Sequence, residues 1–360
     1  MKFLFIKLLP AVSLLLAVSS FANADDDIVI QRIIGPEILT KYKHPASFTE
    51  LANGDLYLAY YGGSGEYATD TAVFGMRLPK GQKQWTRPVV IADTPFRTDG
   101  NSVVWQAPDG LVWLFYLTRY GQTWSDSRIK FKISRDAAQT WSDSDMLGFE
   151  KGTMVRAAPI VLKNGDYLLP IYHETGNDRE IVGADTTSLF LRRDAKTGEW
   201  TETNRVKSRI GNLQPSVVQI TDDYLVAYSR RGGGYEGQDD GWLVRSESRD
   251  GGNTWSEGTD SRFPNPNSAT DFIKLSNGHL LLAYNDSKRD RMPLTVSIST
   301  DNDKTYPYKR NIVEKKGDTA AYPFAIQTKD GKIHVLYTSE SRTVINHAVF
   351  EEKAILERKK

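Results

Sequence analysis

The chain contains no cysteine among its 360 residues. That excludes disulfides, thiolate metal sites and attachment of a lipid to an N-terminal cysteine. An exported protein of this size can do without staples, because a few hundred residues bury a sufficient core. An excess of charge of one sign is also missing. The net charge is +1, with acidic and basic residues nearly balanced and scattered along the chain. A nucleic-acid partner would require a basic stripe, and none is present. Histidine is scarce, with five in all. His279, His334 and His347 lack metal-ligand spacing and read as structural, so neither a metal nor a cofactor is expected. Long apolar runs are absent beyond the first residues, so no membrane insertion is expected.

The one apolar run spans residues 8–17 behind Lys2 and Lys7. It is shorter than the ~20 residues of a spanning helix. Ala22-Asn23-Ala24 then presents small residues where a signal peptidase reads, and three aspartates follow. Residues 1–24 therefore read as a secretory signal peptide cleaved after Ala24. The expected mature protein lies in the periplasm or outside the cell. What the chain does have is aromatic residues, 11% of the total with 17 Tyr and 8 Trp. That suits a β protein, and flat rings also stack on sugar faces.

Internal repetition decides the fold. A turn followed by an alternating strand recurs: Asn53-Gly54 before DLYLAYY, Asp109-Gly110 before LVWLFY, Asn164-Gly165 before DYLLPIY, Asp222-Asp223 before YLVAYS, Asn277-Gly278 before HLLLAY and Asp330-Gly331 before KIHVLY. Successive copies are 56, 55, 57, 56 and 53 residues apart, counted from Gly54 through Asp222 to Gly331. Asn-Gly and Asp-Gly between apolar runs are strong hairpin turns. A unit of this length holds the four strands of a propeller blade. The expected fold is all-β, a six-bladed β-propeller of four-stranded antiparallel blades over residues 25–350, with a charged tail at 351–360.

A second repeat alternates with the first. Its copies run Ser134 to Trp141 (SRDAAQTW), Ser248 to Trp255 (SRDGGNTW) and Ser299 to Tyr306 (STDNDKTY), with degenerate copies ending at Trp85 and Trp200. An aspartate in such a turn can bond backbone N–H groups, and Gly252 can take positive φ. This is the S-x-D-x-G-x-T-W box. With it the chain resembles the sialidase superfamily over nearly all of its mature length. The resemblance implies that Asp136, Asp250 and Asp301 are structural and lie on the face away from the active site.

In a propeller the innermost strands place their ends around one mouth. The residues entering those strands are His44, Asn101, Arg156, Gln214, Asn267 and Tyr322, a polar and aromatic set suited to a pocket. Sialidases hold a sugar carboxylate with three arginines and use a Tyr nucleophile, an activating Glu and an Asp acid/base. By that resemblance Gln214-Pro215-Ser216-Val217-Val218, running on to Ser229-Arg230, makes Arg230 a carboxylate-binding residue, with Gln214 where the Glu should stand. Arg291 before PLTVSISTD matches a second arginine, and Tyr322 before PFAIQTKDG matches the nucleophile. The first family arginine, in R-I-P-A, is replaced by Lys43-His44-Pro45-Ala46, so Lys43 or His44 takes its place. The acid/base falls in the loop carrying Glu66 and Asp70, either of which can serve. His173-Glu174 follows the third hairpin strand and can reach the pocket. Gln cannot take a proton, so the activating step departs from the family.

Three readings of function follow. The first is an exo-glycosidase on sialic acid or a related terminal acidic sugar. The second is a lyase or rhamnosidase-like enzyme on a uronic-acid polysaccharide, with His44 as base and Tyr322 as acid. The third is a non-catalytic sugar-binding propeller. All three make an acidic glycan the partner. The N-terminal reading has its own test. N-terminal sequencing of the exported protein should return Asp25-Asp26-Asp27, and retention of residues 1–24 on the exported form would overturn it.

Overall fold

The computed structural model describes residues 27–237 and 239–357. The signal peptide read over residues 1–24 lies outside them. The described chain is built almost wholly of strands, arranged in six antiparallel sheets. Each sheet is one blade of a propeller. The innermost strands are Tyr42–Glu50, Thr98–Gln106, the split pair Thr153–Val155 and Ile160–Val161, Asn212–Gln219, Asp271–Lys274 and Ala321–Gln327. Each expected turn opens the second strand of its blade.

The last blade is closed by the first strand. Ile28–Ile34 pairs antiparallel with Val344–Phe350 and completes the sheet that holds Ala321–Gln327. The ring is thereby sealed across the two ends of the chain. Side chains at the far ends of the inner strands tie neighbouring blades together. Gln106 Oε1 accepts from Ala52 N at 3.2 Å, Gln219 Oε1 from Lys163 N at 2.9 Å and Gln327 Oε1 from Ser276 N at 2.7 Å. Glu50 accepts from Lys329 N at 2.8 Å, which joins the sixth blade to the first.

The charged tail is not a free appendage. Lys353–Leu356 forms a short helix whose Ala354 and Ile355 are buried against the fifth and sixth blades. Arg310 Nη1 donates to Ala354 O at 2.8 Å. Two apolar residues among the charges are enough to dock this segment.

The aspartate boxes are turns held by their own side chains. Asp136 accepts from Thr140 Oγ1 at 2.6 Å, Thr140 N at 2.9 Å and Gln139 N at 3.1 Å. Asp250 and Asp301 repeat the pattern on Thr254 and Thr305. Bonds from the threonines hold the Asp136 and Asp301 carboxyls well below the usual range. Each turn needs two successive left-handed residues. They are Gly251-Gly252 in one box, Ala137-Ala138 in another and Asn302-Asp303 in the third. Trp255 is 5% exposed and stacks on Phe190 with ring centroids 3.9 Å apart. The Tyr that replaces Trp in the third box uses its hydroxyl. Tyr306 and Tyr228 each donate to Asp303 at 2.8 Å, and Arg245 pairs with the same carboxylate at 2.9 Å.

Trp255→Ala should lower unfolding stability by about 3–5 kcal/mol, the cost of truncating a buried large aromatic, and leave ligand binding at the opposite face unchanged. Urea denaturation beside ligand titration checks this. A variant of unchanged stability with altered binding would assign the box to the site.

Candidate functional site

The mouth is shaped first by backbone irregularity. Register shifts interrupt the inner strands between Lys43 and Ala46, Gly100 and Val103, Leu213 and Ser216, and Ala321 and Phe324. Three of these bulges hold a proline, at Pro45, Pro215 and Pro323. Proline is tolerated there because the bulge removes the ladder bond that its missing N–H could not make. In the last three of these bulges the residue turned inward sits in the left-handed region, as does its counterpart in the fifth blade. These are Asn101 at φ 37°, Gln214 at 54°, Asn267 at 57° and Tyr322 at 56°. Non-glycine residues held there cost of order 1 kcal/mol each and persist where surrounding structure enforces them.

A second ring of side chains comes from the ends of the second strands and the loops joining them to the third. The first blade contributes Glu66, the third Glu174, the fourth Arg230 and Tyr235, the fifth Arg291 and the sixth Arg342. Arg342 ends a turn in which Glu340, Ser341 and Arg342 all have positive φ, at 49°, 53° and 65°. Strain is concentrated at this arginine. The resulting pocket is narrow, with a cavity volume of about 30 Å³.

Tyr322 lies at its centre, 7% exposed. Its hydroxyl accepts from Arg230 Nη1 at 2.6 Å. The guanidinium carbons of Arg291 and Arg230 lie 5.4 and 5.8 Å from its ring centroid. Burial pushes the phenol up, but the charges of Arg230, Arg291 and Arg342 outweigh it and leave the group below the ordinary tyrosine value. Arg230 is 2% exposed and also donates to Asn267 Oδ1 at 2.5 Å, Gln214 Oε1 at 3.2 Å and Tyr235 Oη at 3.4 Å. None of these partners is a carboxylate. Arg291 donates to Asn267 O at 2.7 Å. Arg342 pairs with Glu66 and donates to Tyr42 Oη at 3.1 Å.

His44 packs edge-on against Tyr322, with ring centroids 4.1 Å apart. Its Nδ1 meets Thr338 Oγ1 at 2.8 Å, and that hydroxyl donates to Ala321 O. The network therefore assigns the proton to Nδ1 and leaves Nε2 as a buried acceptor without a partner. Burial first, then the arginines led by Arg342, holds His44 well below its ordinary value and keeps it neutral.

The inner-strand residues take different roles. His44, Asn101, Gln214 and Tyr322 line the pocket. Asn101 Nδ2 donates to Tyr172 Oη at 3.0 Å. Asn267 is scaffolding, its amide anchored on Gly233 O and Gly234 O and its oxygen orienting Arg230. Arg156 lies in the floor. It donates to Tyr322 O and Pro323 O at 2.9 Å, facing the buried Asp271 on the other side of the channel. It is not among the lining side chains, but its guanidinium carbon lies 5.6 Å from the Tyr322 ring centroid and its charge reaches His44.

Asn267 and Arg156 thus fall outside the expected pocket lining, and three further expectations are corrected. Lys43 points away from the mouth and donates to Thr40 O, because successive residues on a strand face opposite sides and His44 faces inward. His173 turns outward to Glu150 at 3.4 Å, and its neighbour Glu174 enters the pocket instead. Asp70 is tied to Ser64, accepting from its N at 3.1 Å and Oγ at 3.0 Å, and leaves the pocket to Glu66. Arg342 was missed because the third arginine was sought on the first blade. It arrives from the sixth, across the ring closure, in the loop position that carries Arg291 one blade earlier. That equivalence was the available signal. Among the described residues, no group of three His, Cys, Asp or Glu side chains is arranged to hold a metal.

Glu174 makes no hydrogen bond or ion pair through its carboxyl among the described residues. Burial pushes it up to about 7, against the attraction of Arg230 and with the repulsion of Glu66. The folded protein thus holds this proton more tightly than the unfolded chain. Stability attributable to the group falls as pH rises from ~4.5 toward neutrality and stays reduced above it. Glu174→Gln should raise stability at pH 8 by roughly 1–3 kcal/mol and change it little at pH 4. Urea unfolding at both pH values checks the sign, and an equal gain at both would refute the assignment.

The comparisons with known proteins agree with this architecture. Among curated proteins none matches the chain. Solved structures share its fold. A Hadza microbial sialidase aligns with a TM-score of 0.75 and 16% identity over 91% of this chain and 69% of that one. The intramolecular trans-sialidase of Ruminococcus gnavus, solved with oseltamivir carboxylate, aligns at 0.72 and 13% over 90% and 97%. A Dyadobacter fermentans protein of unknown function aligns at 0.71 and 16% over 90% and 99%. At such identities the likeness is one of fold. The model of the BNR repeat-like domain matches residues 54–335. That span covers more than half of the sequence, so the chain belongs to the BNR repeat-like family and has the six-bladed fold of the sialidases.

Proposed function

We propose that this protein is an exported exo-glycosidase that removes a terminal carboxylated sugar, sialic acid or a close relative, from glycans. One observation carries the reading. Arg230, Arg291 and Arg342 cluster around Tyr322, and among the described residues only Glu66 forms an ion pair with any of them. A pocket with surplus buried guanidinium charge favours an anion, and planar guanidinium groups suit a carboxylate.

With the carboxylate held there, the anomeric carbon sits over Tyr322 Oη. The oxygen attacks as the glycosidic bond breaks, and a rim carboxyl protonates the leaving oxygen. Water then displaces the phenol from the sugar, so configuration is retained after two inversions. Gln214 accepts from Arg230 and orients it, taking no proton. The depressed Tyr322 phenol supplies the activation that a glutamate at that position otherwise gives.

A second reading is favoured by His44. Its free Nε2 beside Tyr322 is the arrangement for β-elimination from a uronic acid, with His44 taking the C5 proton and Tyr322 protonating the leaving oxygen. A rhamnosidase-like activity on such a polysaccharide, or sugar binding without turnover, would use the same carboxylate clamp.

Product analysis separates these readings: free sialic acid, an unsaturated uronide absorbing in the near ultraviolet, or no product. The clamp is tested by titrating wild type, Arg230→Lys and Arg291→Ala with sialic acid and with a uronic-acid oligosaccharide. Removing one partner of a buried charge pair should cost about 2–5 kcal/mol of binding. Arg230→Lys should also bind weakly, because a point charge does not replace the planar fork. Unchanged binding of both sugars by both variants would sink the proposal.

A further inference from the structure

A proton carrier for the leaving oxygen has to reach the pocket, have no permanent partner and change charge near the working pH. Four acidic side chains lie near the mouth. Asp70 is held by Ser64. Glu180 is exposed and engaged by Tyr67 Oη at 3.4 Å. Glu66 is paired with Arg342, and the pair is about three-quarters shielded, at 25% and 24% side-chain exposure. A carboxylate locked on a guanidinium gives up its counter-ion if it protonates. Glu174 alone lines the pocket with its carboxyl free of hydrogen bonds and ion pairs among the described residues.

We infer, on the hydrolase reading above, that Glu174 is the catalytic acid and base, and that Glu66 is a positioning residue that holds Arg342 in place. In the first step, with Tyr322 as its phenolate among the three arginines, the Glu174 proton goes to the glycosidic oxygen as that bond breaks and the bond from Tyr322 Oη to the anomeric carbon forms. In the second, the Glu174 carboxylate takes a proton from water. The water oxygen bonds to the anomeric carbon as the bond to Tyr322 Oη breaks. The enzyme returns to its starting state, and one water has been consumed.

The setting of Glu174 supports the exchange. The pocket that Glu174 lines also holds Arg230 and Tyr235 from the fourth blade, Glu66 and His44 from the first, Tyr322 from the sixth, and Tyr172, Arg179 and Glu180 from its own blade. Arg230 favours the carboxylate, while burial and Glu66 favour the acid, and the balance lies at about 7. When a substrate carboxylate enters the clamp it offsets the pull of Arg230, so the proton stays on Glu174 until the leaving oxygen needs it.

The experiment compares wild type, Glu174→Gln and Glu66→Gln on two glycosides of one carboxylated sugar. One has a sugar leaving group, and the other is a 4-nitrophenyl glycoside whose leaving group departs without a proton. Glu174→Gln should lose about 10²–10⁴-fold in kcat/KM on the sugar-linked substrate and far less on the nitrophenyl glycoside. It should also lose the fall in rate that wild type shows as pH rises through neutrality. Glu66→Gln should raise KM and weaken both substrates alike. A folded Glu174→Gln that keeps full activity on the sugar-linked substrate, or loses both equally with the pH profile unchanged, overturns the assignment. Wild type that cleaves neither glycoside overturns the hydrolase reading, and the assignment falls with it.

Discussion

A buried guanidinium without a carboxylate partner organises this molecule. Arg230 is almost wholly excluded from solvent, yet it bonds only to an amide oxygen on each of Asn267 and Gln214 and to the phenols of Tyr322 and Tyr235. Removing a charge from water costs several kcal/mol unless opposite charge and hydrogen bonds repay it. Here the neutral partners satisfy the donors but leave the charge uncompensated. Burial alone would lower the guanidinium's proton affinity, yet the phenols and Glu174 raise it above the ordinary value. The charge that Arg230 lacks is distributed over groups that can take part in chemistry.

A site under such tension requires a frame that does not yield. The propeller supplies it by closing on itself twice. Ile28–Ile34 adds to the final sheet, and Glu50 grips the backbone of Lys329 across the same seam. The inner strands are pinned at their far ends by amide and carboxylate side chains and buckled at their near ends by bulges. Rigidity at one end and irregularity at the other is a division that a repeated strand can support. The same backbone motif, reused in several blades, presents Asn101, Gln214, Asn267 and Tyr322 from different directions. Specific chemistry arises from varying one residue per blade on a constant support.

The constant part was legible in the sequence and the variable part less so. Hairpin turns and aspartate boxes recur with a period near that of one blade, and local turn chemistry is what short sequence patterns encode. The inner-strand positions could be found from that period. Which of two neighbours faces inward could not, because strand side chains alternate and a bulge shifts the alternation by one. Lys43 and His44 are one such pair, and His173 and Glu174 are another. In each, the member facing the pocket depends on register set by distant strands. Arg342 was hidden for a different reason. Its placement relies on three consecutive non-glycine residues in left-handed geometry, which no local propensity announces and only tertiary packing enforces.

Gln214 is one of the points where this chain departs from the superfamily pattern, and the surrounding charges indicate how the departure is accommodated. A glutamate there would hold a proton taken from the phenol, but it would also neutralise Arg230. With glutamine, the guanidinium keeps its full effect on Tyr322, and the phenol is depressed by three cations at once. On the proposed function, a substrate carboxylate entering among those cations would weaken that depression. The phenol is therefore most activated before the anion arrives and less so afterwards. A pocket built in this way depends on the phenol's proton having left, or being passed on, as the clamp closes. Among the described residues, the buried acceptor on His44 and the carboxyl of Glu174 line the pocket without hydrogen-bond or ion-pair partners. His44 is held neutral by the same arginines, and Glu174 is held near its midpoint by burial. One arrangement of charge thus depresses the phenol, leaves the His44 acceptor beside it and keeps a proton on Glu174, so a glutamine at position 214 need not disable the site.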